Sequence, residues 1–151
     1  MKYLVFLIIF VICFSSCIEK CGDNDFTLRM RIEYDLKDSL KLSVSSESKS
    51  VKRFSQEDNF SEYCFSEVPQ EIIIELNNTE AKSFEIKSVL IESQAEQIFL
   101  DTNYLFHQHF ISNKNAKYYE AEDKYLLKPN STIQFRSRPF LNNKLKQILK
   151  N

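Results

Sequence analysis

The sequence is short of the residues on which phosphate-binding and nucleic-acid-binding sites depend. It contains a single glycine, Gly22, whereas phosphate-cradling loops need glycines so that the backbone can approach the anion closely. The 20 basic and 21 acidic residues nearly cancel, so no basic surface for nucleic acid is predicted. We therefore expect neither a nucleotide enzyme nor a nucleic-acid partner, and no cofactor.

Apolar runs are also short, but the amino terminus has the pattern of an export signal. Lys2 supplies a positive start, and the twelve residues 3–14 are apolar, whereas a helix that spans a bilayer needs about 20. Two serines then precede Cys17. Cleavage is favoured over a permanent span, so residues 1–16 are predicted to be a signal peptide.

The cleavage region resembles the bacterial lipobox, in which two small residues precede a cysteine that is acylated. The matching residues are Phe14-Ser15-Ser16-Cys17, with Phe14 where that motif usually has leucine. The resemblance implies lipidation of Cys17 and attachment of the chain to a membrane of the cell envelope, with the outer membrane preferred. A plain secretory signal, which gives a secreted domain, and an uncleaved anchor are the alternatives.

Export changes the interpretation of the remaining cysteines, because disulfides persist outside the cytosol. Apart from Cys17 and the cysteine inside the signal peptide, the chain has Cys21 and Cys64. A disulfide between these two residues and a pair of unpaired thiols both remain open at this point.

The residues after the signal peptide predict an all-β domain. Apolar and polar residues alternate from Phe26 to Tyr34, which is the pattern of a half-buried strand, and turn-forming residues recur about every ten positions. We predict an antiparallel β-sandwich, with a small β-barrel as the alternative. The predicted divisions are a tether at 17–25, the sandwich at 26–136, and a tail at 137–151.

Individual segments add detail to this prediction. The alternation slips near Ser88, as it does at a β-bulge. The spacing of Leu141, Leu145 and Ile148 predicts a short carboxy-terminal helix, which could also fray in solvent. Further short strands are predicted at 60–65, 71–76, 98–100, 105–111, 117–121, 125–127 and 132–135.

The order of these segments resembles the galactose-binding-like β-sandwich modules of bacterial membrane proteins that build or modify surface polysaccharides. The resemblance covers residues 26–136 and implies the fold alone, a β-sandwich of the jelly-roll or galactose-binding-like kind. No binding residues are implied, because the arginine–aspartate pair usual between the last two of the matched strands in that family is replaced here by 77–84. The resemblance is carried by Phe26–Tyr34, Leu40–Ser45, Phe60-Ser61-Glu62, Glu71-Ile72-Ile73-Ile74-Glu75-Leu76 and Ile86-Lys87-Ser88-Val89-Leu90-Ile91.

Two histidines and a group of aromatic residues are the candidates for binding chemistry. In the predicted strand, His107 and His109 share a face and could meet one metal ion, with a third ligand from Asp101, Glu120 or Glu122; otherwise they are solvated. Aromatic rings stack on sugars, so the aromatic region at 104–125 is a candidate ligand platform, although alternation buries about half of it. Its proposed members are Tyr104, Phe106, Tyr118 and Tyr119.

No pattern of catalytic residues is recognised. The serines lack a glycine-rich elbow, and the acidic residues are scattered. The sequence therefore favours a non-catalytic envelope lipoprotein that binds a glycan or an envelope protein. A purely structural or accessory lipoprotein is the alternative, and a hydrolase is a minor one.

Overall fold

A computed structural model describes most of the chain after residue 27. The predicted signal peptide, the tether, Cys17 and Cys21 lie outside the described residues. For 42–45, 51–57 and Phe60 the backbone alone is described. The described ranges are 28–35, 42–45, 51–57, 60–67, 69–77 and 80–148.

The described residues form short strands and two helices in the following order. The elements are β1 (Leu28–Asp35), β2 (Leu42–Ser45), β3 (Val51–Glu57), β4 (Phe60–Phe65), β5 (Ile73–Leu76), β6 (Ser83–Glu92), β7 (Gln97–Leu100), α1 (Asn103–His109), β8 (Phe110–Ser112), β9 (Ala116–Tyr119), a 3₁₀ turn (Glu120–Glu122), β10 (Lys124–Leu127), β11 (Ile133–Ser137) and α2 (Pro139–Ile148).

The strands form two antiparallel sheets that pack as a β-sandwich, as predicted. The large sheet has the order β3-β4-β1-β6-β10-β9, with β7 paired to β6, and the small sheet has the order β2-β5-β11-β8. Within the described residues the sheets do not close into a barrel. The turn between β8 and β9 carries the chain from an edge of the small sheet to an edge of the large one.

The core lies between the sheets and is built by alternation along the strands. Every second residue of β1 faces inward, so that Leu28, Met30, Ile32 and Tyr34 are at most 1% exposed. In β6 the alternation changes phase at the predicted place, because Glu33 of β1 is opposite Ser88 and the next residue is opposite Ile86. This register shift is the β-bulge that the sequence predicts, and it keeps apolar residues inward on both sides of it.

The carboxy-terminal helix α2 is part of the core. Leu141, Leu145 and Ile148 are buried at helical spacing, so the tail predicted at 137–151 is in fact packed against the sandwich from Pro139 to Ile148. Its entry is fixed by the buried Ser137, whose Oγ accepts a hydrogen bond from the Ile72 amide at 2.8 Å and donates one to Asn142 at 2.6 Å.

The outer face of the large sheet carries ion pairs and a disulfide-bonded cysteine. Arg29 pairs with Glu92 and lies 3.6 Å from Glu62. Cys64 is directly opposite Arg29, so it shares that outer face, and it is disulfide-bonded and only 6% exposed. The cysteine bonded to it is outside the described residues, so the pairing with Cys21 stays a prediction.

Candidate functional site

Helix α1 occupies most of the segment where the sequence analysis predicts a strand at 105–111, so that prediction is wrong for 105–109 and correct only for 110–111. Thr102 has extended backbone angles and caps the helix, because its Oγ1 accepts a hydrogen bond from the Leu105 amide at 3.1 Å. Asn103 and Phe106 are buried three positions apart, which is helical spacing. The strand β8 begins only at Phe110, where the backbone becomes extended.

The helix also separates the two histidines that were expected to share a strand face. Residues two apart on a helix are about 200° apart around its axis, so the rings point in different directions. The His109 ring lies 5.6 Å from that of Phe140 and its Nδ1 bonds the Leu105 carbonyl at 2.8 Å, whereas His107 faces Tyr118. In the part of the chain that the structure describes, no group of three His, Cys, Asp or Glu side chains could hold a metal ion.

The other metal candidates are also placed apart from a common site. Glu120 and Glu122 were expected on one strand face, but both lie in the exposed 3₁₀ turn after β9. Glu122 pairs there with Lys124. Asp101 is exposed just before the cap of α1.

Three rings from α1 and β9 form the site, which we call the aromatic ledge: Tyr104, His107 and Tyr118. Tyr104 and His107 are three residues apart and therefore neighbours on one side of α1. The His107 and Tyr118 rings are stacked, with centroids 4.6 Å apart and an angle of 17° between their planes. Tyr104 is 50% exposed, so the ledge opens to solvent.

Asp123 fixes the outer end of the ledge. The Tyr118 hydroxyl donates a hydrogen bond to its Oδ1 at 2.7 Å. Asp123 closes the 3₁₀ turn with φ 43° and ψ 51°, a left-handed conformation that aspartate tolerates better than most residues. Loss of solvent and the bonded carboxylate of Asp123 raise the pKa of Tyr118 to about 12, so its hydroxyl stays protonated at neutral pH.

The inner end of the ledge is held by Tyr125 and Arg138. The Tyr125 hydroxyl lies 3.4 Å from His107 Nδ1, and the Arg138 Nε donates to the His107 carbonyl at 3.3 Å. Loss of solvent and then the positive charge of Arg138 lower the pKa of His107. His107 is therefore neutral at pH 7 and acts as a flat, uncharged ring beside Tyr118.

Only two of the four predicted platform residues belong to the ledge. Phe106 is fully buried, stacked on Phe110 with ring centroids 4.5 Å apart, so its place in the platform was wrong. Tyr119 is 41% exposed but lies on the other face of β9, since neighbouring strand residues point to opposite sides. Tyr104 acts electrostatically on Tyr118, so these two predicted residues lie near each other, and their role in binding stays a prediction.

Sequence reasoning missed three contributors to this site. His107 was considered as a metal ligand and not as a stacked ring, and Asp123 and Arg138 were not singled out. Asp123 is placed beside the ledge by its left-handed backbone conformation at the end of the 3₁₀ turn. Arg138 is placed there by the junction between β11 and α2. Nothing in the local sequence pattern marks either place.

Comparisons with known proteins found no match: no family model, curated protein or solved structure is similar to this chain. Among the described residues, none of the helices has the length and apolar character needed to cross a membrane. The function is therefore inferred from the chain's own residues.

Proposed function

We propose that this chain is a non-catalytic, membrane-anchored envelope lipoprotein whose sandwich domain binds a saccharide on the aromatic ledge. The observation that carries the binding proposal is the stacked pair of His107 and Tyr118, continued by the half-exposed ring of Tyr104. Flat rings bind the apolar faces of sugars, and the polar groups at the two ends of the ledge can bind hydroxyl groups.

The ledge is supported from behind, so it needs little ordering when a ligand binds. Tyr118 lies against the buried Tyr125 with ring centroids 5.5 Å apart, and Tyr125 meets Phe135 edge to face at 4.9 Å. Rings that are already held in place lose little side-chain freedom on binding, which favours affinity. This support distinguishes Tyr118 from more exposed aromatics such as Phe99, whose side chain is 55% exposed.

The binding proposal is tested by titrating the full-length protein with a panel of envelope oligosaccharides. Saturable binding that is lost in Tyr104→Ala supports it, because that side chain is exposed and its removal should leave the fold intact. Tyr119→Ala is the matched control: it is a tyrosine of similar exposure on the opposite face of β9. Equal loss in both variants, or no binding across the panel, would count against the ledge. In the second case an envelope protein becomes the partner to seek.

The anchoring proposal depends on Cys17 and is tested separately. The intact mass of the membrane-extracted protein should fit residues 17–151 plus acyl chains, and Cys17→Ala should lose that mass increment. An unmodified chain would instead indicate a secreted domain or an uncleaved anchor.

A further inference from the structure

Arg138 is fixed beside the aromatic ledge by its own backbone. It lies between the end of β11 and the start of α2, where its amide donates to the His109 carbonyl at 2.8 Å. Its carbonyl accepts from the Asn142 amide at 3.1 Å. These bonds tie the residue to α1 on one side and to α2 on the other, so the fold sets the position from which its side chain extends.

The guanidinium of Arg138 differs from the other arginine side chains that the structure describes. Arg29, Arg31 and Arg136 each form an ion pair with a glutamate. Arg138 forms no ion pair within the described residues, although it is half-buried. Its Nε donates a hydrogen bond to the His107 carbonyl, so the two terminal nitrogens of the guanidinium remain to bind a ligand. Removing such a cation from water is unfavourable unless a counter-charge is supplied.

The two ends of the ledge carry charges of opposite sign. Arg138 acts electrostatically on His107 and Tyr125 at the inner end. Asp123 and Glu120 act on Tyr118 at the outer end. A ligand with one negative group is therefore attracted toward Arg138 and repelled from the turn after β9.

We propose that the ledge takes an acidic saccharide, with the carboxylate of a uronic acid on the guanidinium of Arg138. This inference rests on the proposed saccharide-binding function and names its substrate class. A uronic acid carries its carboxylate on the sugar ring itself, so its ring can lie on the aromatic ledge while the acid reaches Arg138. Planar carboxylates and guanidinium groups pair through two parallel hydrogen bonds, which orients the sugar as well as binding it.

The test compares acidic and neutral oligosaccharides with the full-length protein. Trimers of galacturonate, glucuronate and mannuronate are titrated by calorimetry beside trimers of the corresponding neutral hexoses. We expect at least one acidic trimer to bind at least tenfold more tightly than its neutral counterpart. Arg138→Gln should remove that preference, because it should weaken binding of the acidic trimer at least tenfold more than binding of the neutral one.

Arg136→Gln is the matched control, since Arg136 is two residues away, exposed, and paired with Glu71 at 3.0 Å on the outer face of the small sheet. It should bind the acidic trimer as the unchanged protein does. If Arg138→Gln fails to fold, Arg138→Lys keeps the charge without the planar fork and should still weaken acidic binding severalfold. Equal binding of acidic and neutral trimers overturns this inference alone, whereas binding of neither overturns the proposed function as well.

Discussion

The hydroxyl of Tyr34 is a buried polar group with no hydrogen-bond partner among the described residues, and its removal should stabilise the protein. The residue is 1% exposed, and its ring lies 6.2 Å from that of Phe84 between the sheets. The nearby Ser61, which is opposite Ile32 on the same inner face, is the other such group among the described side chains. Each hydroxyl loses its contacts with water on folding and gains no hydrogen bond in return from the described part of the chain.

The expected size of the effect follows from that lost hydration. Leaving a buried polar group unpaired costs about 1–3 kcal/mol, and Tyr34→Phe removes the group while keeping the ring and its packing. We expect the free energy of unfolding to rise by about 1 kcal/mol. In a domain of this size that corresponds to an increase in Tm of about 4 °C.

The assay is urea and thermal unfolding of the full-length protein, with Tyr125→Phe as the comparison. Tyr125 is equally buried, but its hydroxyl faces His107, so its removal should lower stability or leave it unchanged. A loss of 1 kcal/mol or more in Tyr34→Phe would refute the reasoning. It would show that this hydroxyl is hydrogen-bonded in solution, for example through a buried water shared with Ser61.

Three further perturbations test other parts of the fold. Ser137→Ala leaves the buried Ile72 amide without its acceptor and should lower the free energy of unfolding by about 2 kcal/mol in urea; an unchanged midpoint would contradict this. Because the pKa of His107 is lowered on folding, its contribution to stability is present above about pH 6.5 and is lost as the pH falls through the lowered value. His107→Gln should therefore flatten the pH dependence of Tm between about pH 5 and 7, and an identical slope would argue against a lowered pKa of His107 in the folded protein. Reduction of the Cys64 disulfide should lower stability by about 2–4 kcal/mol, as followed by thermal unfolding with and without dithiothreitol; the same Tm in both conditions would contradict it.

The sandwich could be predicted because most strands obey a simple alternation. The strand β1, the bulge in β6 and the helix α2 were all readable from the spacing of apolar residues, since each buries one face in the core. Helix α1 was missed because its seven residues carry apolar and aromatic side chains on two sides. Its start depends on one capping threonine, which is a weak signal in a chain rich in serine, another residue that commonly caps helices.

The site was predictable only in part because it combines distant segments. The sequence showed an aromatic region, but which rings are exposed depends on how α1 meets β9 and β10. Phe106 is buried in the core, and Tyr119 lies on the opposite face of its sheet. His107 lies on the ledge because its segment is helical. A helix in place of a strand changes the direction of every side chain in it.

The position of Cys64 also determines where a force applied through its disulfide would enter the domain. It lies in β4, which is hydrogen-bonded to β3 on one side and β1 on the other. Tension on any segment joined through its disulfide is therefore resisted by two strand ladders together. The strand β9, which carries Tyr118, is four strands away, or about 19 Å at the usual spacing between strands. Pulling at Cys64 should thus leave the ledge unstrained, so that tension and ligand binding act on separate parts of the sandwich.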